Sequence, residues 1–449
     1  MAINNYKYQK PKKIDWLNAI PTHWDEVRLG SLFNQRKEKV SDTDYPPLSV
    51  TKNGVVPQLD NAAKSNDGDN RKLVLKGDFA INSRSDRKGS SGVSIYDGSV
   101  SLIYIVLKPI KIEPRYSEYL LKSFYFKEEY YRYGRGIVAD LWTTRYSEMK
   151  NMIIPYAPLS EQTLIANFLD YKLEKIERFI IKKKQLINLL TEQKAATINK
   201  AVTKGVNPTA KLKSSNIEWL GDIPEHWEVK RMKYLGKAII GLTYSPTEMV
   251  DEGEGTLVLR SSNVQKGKIT YDDCVYVTTD IPHKKRTKIG DILICSRNGS
   301  IKLVGKNALI DEKASNESFG AFMTIFRSEN YEYLHYFFNS SSFKAQSGLF
   351  STSTINQLTT GILNDIIISI PKTLAEQLTV VNFIKNETKV IDKTISNTEK
   401  EIELVEEYKT TLIAEAVTGK IDVRGFKVSM IEEPLAMVAE DATNYNKAN

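Results

Sequence analysis

One stretch of this sequence occurs twice, and that duplication constrains the fold more than any other feature. Residues 15–24, which end in His23 and Trp24, return as residues 218–227, which end in His226 and Trp227. Further landmarks occur in the same order in both halves of the chain, so the sequence predicts two copies of one structural unit. The landmark pairs are Gly77-Asp78 and Gly290-Asp291, Ser83-Arg84 and Ser296-Arg297, Glu161-Gln162 and Glu376-Gln377, and Ala201-Val202-Thr203 and Ala416-Val417-Thr418.

Each copy divides into an irregular part and a helical part. Short apolar runs, such as residues 103–107 and 366–370, are separated by Gly, Asn, Asp and Ser, which is typical of strands and loops. The pattern predicts an α+β fold with two tandem domains, each followed by one long helix. The predicted boundaries are 1–158 for the first domain, 159–204 for the first long helix, 205–372 for the second domain, 373–420 for the second long helix and 421–449 for a partly disordered tail.

The two helical segments carry apolar side chains at alternating steps of four and three residues, which is the spacing of a coiled-coil seam. We expect the helices to pair antiparallel, with pseudo-two-fold symmetry, as a coiled-coil spacer. Lys194 and Lys409 occupy seam positions, where they either fix the register or extend their long side chains out of the seam. Thr373 and Glu376 fit a capping box at the start of the second helix. The predicted seam residues are Leu169, Leu173, Ile176, Ile180, Ile187, Leu190, Ile384, Ile391, Ile395, Ile402, Val405 and Leu412.

The overall composition is that of a globular protein with a substantial core. The chain has 449 residues, of which 41% are hydrophobic and 26% charged, and its formal net charge is +8. No apolar run is long enough for a membrane span and no signal peptide is visible, so we expect a cytoplasmic protein. Two cysteines are too few for a disulfide framework or a cysteine metal site. The positive charge favours a polyanionic partner only weakly.

Motifs for catalysis and cofactor binding do not stand out in this sequence. It has no G-x-x-x-x-G-K-[ST] phosphate loop and no recognisable S-adenosylmethionine motif. Asp78, Asp86 and Lys88 could form a metal-dependent nuclease site, but the second copy has Gly299 and Ile301 in place of the last two. We interpret the histidines beside the repeated tryptophans as packing or hydrogen-bonding residues rather than ligands. The sequence therefore predicts no catalytic residue, no metal and no cofactor.

Several groups of polar loop residues suit the recognition of nucleic acid. Arginine can donate two parallel hydrogen bonds to guanine and asparagine can pair similarly with adenine, while Ser, Thr and Lys hold phosphates. Each loop alone also fits an ordinary solvated turn, and the Ser-Arg pair shared by both copies also fits a role in the fold. The candidate DNA-binding residues are Lys52, Asn53, Ser83, Arg84, Ser85, Arg87, Lys88, Arg132, Arg135, Trp142, Arg145, Arg260, Ser261, Asn263, Arg297, Asn298, Lys302, Ser353, Thr354 and Asn356.

Motifs in both copies resemble those of the specificity (S) subunits of type I restriction–modification systems. Residues 215–227 resemble the opening of a target-recognition domain in that family, and so do residues 290–293. The starts of the long helices, Pro155–Gln162 and Pro371–Gln377, are similar to the helix starts of the family. The order and the duplication of these motifs extend the resemblance over almost the whole chain.

The resemblance implies two target-recognition domains, each of which reads one half of a bipartite double-stranded DNA site. It also implies that the long helices set the length of the unread spacer and dock two methyltransferase (M) subunits. Restriction (R) subunits would join through the complex, and the chain itself would have no catalytic centre and no membrane contact. We therefore predict a non-catalytic DNA-specificity subunit. Two alternatives stay open: a self-contained DNA methyltransferase or endonuclease of related architecture, and a coiled-coil adaptor that does not touch DNA.

Overall fold

The chain divides into two units, and each unit combines segments that are distant in the sequence. A computed structural model describes residues 6–58, 68–84, 88–136, 142–348 and 357–427. The first unit contains residues 1–182 and 400–449, and the second unit contains residues 183–399. Each unit therefore holds one mixed domain of strands and short helices together with part of each of two long helices.

The helices follow the same order in both halves, with short helices before one long helix. The long helix of the first half has 46 residues and that of the second half has 44. None of the helices in the described ranges combines the length and apolar character that a membrane span requires. The helices are α1 (Pro114–Lys122), α2 (Phe124–Arg132), α3 (Tyr146–Met149), α4 (Leu159–Lys204), α5 (Tyr331–Phe338), α6 (Ser341–Gly348), α7 (Thr360–Asp365) and α8 (Leu374–Val417).

The strands of the first unit are short, and they form several small antiparallel sheets. They are β1 (Tyr8–Gln9), β2 (Ile20–Pro21), β3 (Asp25–Arg28), β4 (Phe33–Gln35), β5 (Lys39–Val40), β6 (Leu48–Thr51), β7 (Gly54–Pro57), β8 (Arg71–Val74), β9 (Phe79–Asn82), β10 (Ser91–Val93), β11 (Gly98–Val100), β12 (Tyr104–Pro109) and β13 (Ile153–Tyr156). The largest sheet has the order β10-β9-β12-β4, and a second sheet has the order β11-β8-β5. Phe79 and Ile81 of β9 pack with Leu107 and Tyr116 in the core.

The strands of the second unit repeat the central sheet of the first. They are β14 (Leu212–Ser214), β15 (Asp222–Pro224), β16 (Glu228–Arg231), β17 (Lys237–Ile240), β18 (Met249–Val250), β19 (Thr256–Leu259), β20 (Val264–Gln265), β21 (Lys268–Ile269), β22 (Tyr276–Val277), β23 (Ile292–Cys295), β24 (Asn307–Leu309), β25 (Ser318–Phe319), β26 (Met323–Arg327) and β27 (Ile367–Ile370). The central order is β24-β23-β26-β17, which matches β10-β9-β12-β4 strand for strand. The second sheet differs, because β18-β22-β19-β25 contains a parallel β19–β25 pair.

The two long helices pair antiparallel, as the apolar spacing predicts. In the first unit Leu169 near the start of α4 packs in one core with Leu412 and Ala416 near the end of α8. In the second unit Val202 at the end of α4 shares a core with Ile384 near the start of α8. All twelve predicted seam residues are buried or partly buried, as a seam between the two helices requires.

The two seam lysines form ion pairs across the helices. In the second unit the Lys194 ammonium of α4 lies 2.7 Å from the Asp392 carboxylate of α8. In the first unit Lys409 of α8 bonds Glu177 of α4, so the arrangement is reciprocal. Each lysine side chain is about one-third exposed. It therefore extends out of the seam and ends at an acidic side chain on the partner helix rather than in open solvent. The two alternatives for these lysines therefore combine, since the side chain leaves the seam and also meets a register-specific partner.

The repeated His-Trp element anchors each domain to the helix that follows it. In the first unit Trp24 donates its indole N–H to Glu161 at 3.1 Å, and the His23 ring lies 2.8 Å from the same carboxylate. The second unit repeats this geometry with Trp227 and His226 on Glu376, both at 2.8 Å. The interpretation of these histidines as hydrogen-bonding residues is therefore confirmed.

The capping box expected at the start of α8 forms only in part. The backbone N–H of Glu376 donates to the Thr373 hydroxyl at 3.3 Å, as such a box requires. The Glu376 side chain does not return the bond to Thr373, because it accepts from Trp227 instead. The Glu376 carboxylate, at the third position of α8, therefore stabilises the joint between the domain and the helix rather than the N-terminus of the helix.

Candidate nucleic-acid interface

The loop after β9 places its arginine outward and its serine inward. Ser83 is buried, and its hydroxyl donates to the Ile103 carbonyl at 2.6 Å, so it serves the fold. Arg84 is exposed, and its backbone is fixed by a bridge to Thr143 and by a 2.9 Å bond to the Asn82 side chain. Ser85 and Arg87, which the sequence also proposes for DNA contact, lie outside the described residues.

Thr143 forms isolated antiparallel β-bridges to both Arg84 and Arg135, and it thereby holds these two predicted arginines next to each other. Trp142 is held next to this bridge by a 2.7 Å bond from its indole N–H to the Tyr131 carbonyl. Gly134 makes room for the ring, because a Cβ there would lie 2.1 Å from the indole nitrogen. The structure therefore places Arg84 beside Arg135 and Trp142, which belong to a different loop.

A shallow cleft of about 620 Å³, the Arg135 cleft, opens next to this group and is lined by Arg132, Arg135, Glu148 and neighbouring residues. Arg132 is partly neutralised there, because it bonds the buried Glu129 carboxylate at 2.8 Å. The Ser147 hydroxyl lowers the pKa of Glu148, and the charges of Arg135 and Arg145 lower that pKa further. Arg145 itself is exposed at the start of α3.

Lys52, Asn53 and Lys88 lie apart from the Arg135 cleft. Lys52 and Asn53 form the turn between β6 and β7 and line a different cleft of about 530 Å³, together with Lys127. Burial lowers the pKa of Lys127, and Lys88 and Lys52 are among the cations that lower it further. Lys88 bonds Glu128 at 2.7 Å, so part of its charge is already compensated.

The second unit gathers two predicted groups into one cleft of about 930 Å³, named here the Arg297 cleft. The exposed Arg297 side chain lies over the Phe322 ring, 5.3 Å from its centre. Asn298 donates to the Ser261 hydroxyl at 3.3 Å. The Arg297 cleft is lined by Leu242, Thr243, Tyr244, Arg260, Ser261, Ser262, Asp273, Arg297, Asn298, Gly299, Gly320, Ala321, Phe322 and Met323.

Charge in the Arg297 cleft is mixed rather than purely basic. Arg260 pairs with the exposed Asp273 carboxylate at 2.8 Å. Asn263 is fully buried, and its amide donates to the Thr270 and Asp273 carbonyls, so we assign this residue to the fold. Lys302 is exposed in a one-turn helix but does not line the cleft. The three remaining predicted residues, Ser353, Thr354 and Asn356, lie outside the described residues.

Sequence reasoning missed several lining residues of this cleft, among them Tyr244, Asp273 and Phe322. They lie in loops whose first-half counterparts differ in sequence, so the repeat gave no signal for them. Phe322 is 60% exposed, which only the structure reveals. Glu161 and Glu376 recur together with the repeated His-Trp element, and this joint recurrence is a sequence signal for their shared contact.

The possible nuclease residue Asp78 has a structural role. Its buried carboxylate accepts from Arg36 at 2.6 Å and from the backbone N–H of Leu75 at 2.9 Å. Asp291 repeats this role in the second unit with Arg327 at 2.7 Å. Within the described ranges, no group of three or more His, Cys, Asp or Glu side chains is placed to hold a metal ion.

The Arg135 cleft with Arg84 and Trp142, and the Arg297 cleft, are called the tips of the first and second unit. The chemistry of both tips suits the recognition of nucleic acid. The described clefts carry arginine donors, amide and hydroxyl groups that both donate and accept, and aromatic rings that can stack. Such groups read the edges of bases in the major groove, and cations around them hold phosphates.

Comparison with known proteins gives one consistent family. The family model described as "Type I restriction modification DNA specificity domain" matches residues 224–407. The type I restriction enzyme MjaVIII specificity subunit of Methanocaldococcus jannaschii is 27% identical over 93% of this chain and 97% of its own length. The type I restriction enzyme StySPI specificity subunit of Salmonella potsdam is 28% identical over 45% of this chain and 44% of its own length.

The fold comparison agrees with the sequence comparison. A chain from a solved structure of a type I R-M system covers 89% of this chain and 98% of its own length, with a TM-score of 0.67 and 15% identity. At that identity the likeness concerns the fold, and it confirms the predicted arrangement of mixed domains and long helices.

Proposed function

We propose that this chain, which belongs to the family of type I restriction–modification specificity subunits, reads a bipartite double-stranded DNA site with its two domains. The observation that carries the proposal is the duplication of one fold with two different tips. The strands and joints repeat from unit to unit, whereas the exposed side chains around Arg84 and Arg297 differ. Two copies of one scaffold with different polar tips fit two different half-site sequences.

In the first domain, residues 1–158, we assign base and phosphate contacts to the group around Thr143. The exposed guanidinium groups come from Arg84, Arg135 and Arg145. Trp142 adds an aromatic ring that its hydrogen bond to Tyr131 fixes in place. Lys52 and Asn53 would contact phosphates from the different cleft that they line, and Lys88, which lines neither cleft, would also contact a phosphate. Phosphate contacts fix the register of the protein on the duplex without carrying sequence information.

In the second domain, residues 205–372, the Arg297 cleft is the proposed contact surface. Arg260, Ser261 and Asn298 lie with Arg297 along its walls. Lys302, which lies outside the cleft, would contact the phosphate backbone of the DNA. Ser83 and Asn263 are left out of this proposal, because both are buried and bonded within the fold.

The chain is a non-catalytic subunit, which binds DNA and assembles with methyltransferase and restriction subunits in a type I complex. We further propose two M subunits, and we propose that the helix pair sets the number of unread base pairs between the half-sites. We also propose that the protein acts in the cytoplasm, where it would reach the host DNA.

The docking of M subunits falls to exposed apolar side chains rather than to the seam. Leu169, Ile180 and Ile384 are buried in the helix pairing, so they cannot also contact a partner. Other apolar side chains of the same helices are 37–69% exposed, and we propose that those of each unit contribute to docking. They are Phe179, Ile181, Leu404 and Tyr408 in the first unit, and Leu186, Leu189 and Val390 in the second unit.

The test is DNA retention by the full chain at several salt concentrations. We expect Arg84→Ala with Arg135→Ala, and separately Arg297→Ala with Lys302→Ala, to weaken binding by about tenfold or more, since each removes cationic contacts. Lys76→Ala with Lys233→Ala removes two exposed cations that line none of the three clefts, and it should change binding less than about twofold.

Unchanged retention in all three double variants would support an adaptor that does not touch DNA. Cleavage or methylation of DNA by the purified chain alone would instead support the self-contained enzyme. Either result would contradict the proposal.

A further inference from the structure

The second unit carries an exposed aromatic ring in the lining of the Arg297 cleft. Phe322 lies in the turn between β25 and β26 and is 60% exposed. A ring exposed in this way is available to stack on a neighbouring side chain or on a ligand. The guanidinium carbon of Arg297 lies 5.3 Å from the ring centre, within the range of a cation–π contact.

The backbone at Phe322 also fixes where the Arg297 side chain begins. The Phe322 carbonyl accepts from the N–H groups of both Ser296 and Arg297, at 2.9 and 3.1 Å. On the other side, Arg297 forms a bridge to Gln357. The root of the Arg297 side chain is therefore held between two chain segments, and the ring limits the directions that its guanidinium can take.

The first unit has the same strand pairing at this place without the ring. Tyr104 pairs with Asn82, and Met323 pairs with Cys295, so Ile103 and Phe322 occupy equivalent positions one residue earlier. Arg84 is bridged to Thr143, as Arg297 is to Gln357. The two units can therefore be compared directly. Arg297 has an aromatic residue at this position, whereas Arg84 has the aliphatic residue Ile103.

We propose that the Arg297 cleft is a guanine-binding subsite, in which Arg297 donates to O6 and N7 of one guanine and Phe322 is the positioning residue that orients the guanidinium. This inference rests on the proposed function, because it assumes that the second domain reads DNA. Arginine suits guanine because its planar fork matches these two acceptors. Stacking on a ring leaves the edge of the fork, where the N–H groups point, available to a base.

The charges of the cleft favour a base edge over a phosphate. Asp273 stands in the same lining and is 64% exposed at its side chain, and it would repel a phosphate. A carboxylate can instead accept from the amino group of cytosine. Its partner Arg260 is already paired with it, so the cleft offers one outward guanidinium beside acceptors rather than a uniformly basic wall.

The test uses the full chain in complex with the methyltransferase subunit of its own system. The complex selects from DNA in which the sequence is randomised, and the bound DNA is sequenced. The unaltered chain is expected to select a two-part motif with guanine in one half. Arg297→Lys should lower the enrichment of that guanine by about tenfold or more, since lysine lacks the fork. Phe322→Ile, which installs the residue of the first unit, should lower it about two- to five-fold at the same position.

Two further variants separate positioning from folding. Phe322→Tyr keeps the aromatic face and should retain the guanine preference. Ile103→Phe alters the equivalent place in the first unit and should leave the second half of the motif unchanged.

A motif that stays identical in Arg297→Lys and Phe322→Ile would overturn the subsite while leaving the proposed function intact. Equal weakening at every position in Arg297→Lys would also overturn it, because it would indicate a phosphate contact. Selection of no motif by the unaltered chain would overturn the proposed function itself.

Discussion

The two units agree closely at the joints between domain and helix and diverge at the tips. At the joints, Tyr116 donates its hydroxyl to the Val417 carbonyl at 3.2 Å, and Tyr333 donates to the Val202 carbonyl at 3.0 Å. In each case a buried tyrosine from a domain bonds the end of the long helix that follows the other domain. At the tips, an exposed Phe322 replaces Ile103 beside the equivalent arginine. Shared residues therefore build the scaffold, and recognition has to be sought where the copies differ.

One contact near the joint is also different, because its charges are exchanged. In the first unit Arg115 of α1 meets Asp170 of α4 at 2.7 Å. In the second unit Glu332 of α5 meets Lys385 of α8 at 2.6 Å. A first domain joined to the second helix would set Arg115 against Lys385. We therefore expect the exchange to give each domain a preference for its own helix.

The largest expected effect comes from removing a shared joint residue. Trp24→Ala and Trp227→Ala should each lower the free energy of unfolding of their own unit by about 3–5 kcal/mol, because both rings are buried and each also donates to a glutamate. Peptide-resolved hydrogen–deuterium exchange reports the protection of each unit separately. Similar losses in the two units would support equivalent joints.

Trp219→Ala provides the control for this prediction. Trp219 lies in the same repeated element but is 39% exposed, so the loss should be only about 0.5 kcal/mol. A comparable loss of protection in Trp219→Ala would show that the element as a whole, rather than the buried ring, carries the stability.

Patterns that repeat along the chain were predictable from the sequence, whereas individual partners were not. The apolar spacing predicted α4 at residues 159–204, where the structure has Leu159–Lys204, and α8 at 373–420, where it has Leu374–Val417. The acids opposite Lys194 and Lys409 were not predicted, although they recur at equivalent positions. Which acid faces a seam lysine depends on the register of two helices distant in sequence. The exposure of Phe322 depends in the same way on how a turn is placed in space.

The second unit should be the more sensitive to mild acid. Burial, and to a smaller extent the charge of Lys194, lower the pKa of His335 to about 4. The unfolded chain has a histidine pKa near 6.5 and so binds a proton first as the pH falls. Stability is therefore fully present above that pKa and is lost as the pH drops from about 6.5 toward 4. The expected loss between pH 7 and pH 5 is about 2 kcal/mol.

This pH effect is measured by urea unfolding of His335→Gln and the unaltered chain at both pH values. His335→Gln should reduce the difference between pH 7 and pH 5, since glutamine does not titrate. His283→Gln removes an exposed histidine of the same unit and should behave like the unaltered chain. If His335→Gln kept the full acid sensitivity, carboxylates rather than His335 would be its source.

The smallest expected effect concerns the exchanged charges of Arg115 and Asp170. Both side chains are nearly half exposed, so the pair should contribute only about 0–1 kcal/mol. Asp170→Lys sets two cations together, and Arg115→Glu sets two acids together, whereas the double variant reproduces the charge order of the second unit. A double-mutant cycle on unfolding should therefore show the double variant recovering most of the loss of either single one.

Additive losses in that cycle would mean that the two side chains do not interact, and the exchange of charge would then have no bearing on domain placement. Recovery would have a further consequence. A first domain carrying Arg115→Glu should dock on a helix that carries lysine at position 170, as the second domain does on α8. The preference of each domain for its helix would then depend on one exchangeable contact, while the buried tryptophan and tyrosine joints would hold either domain equally well.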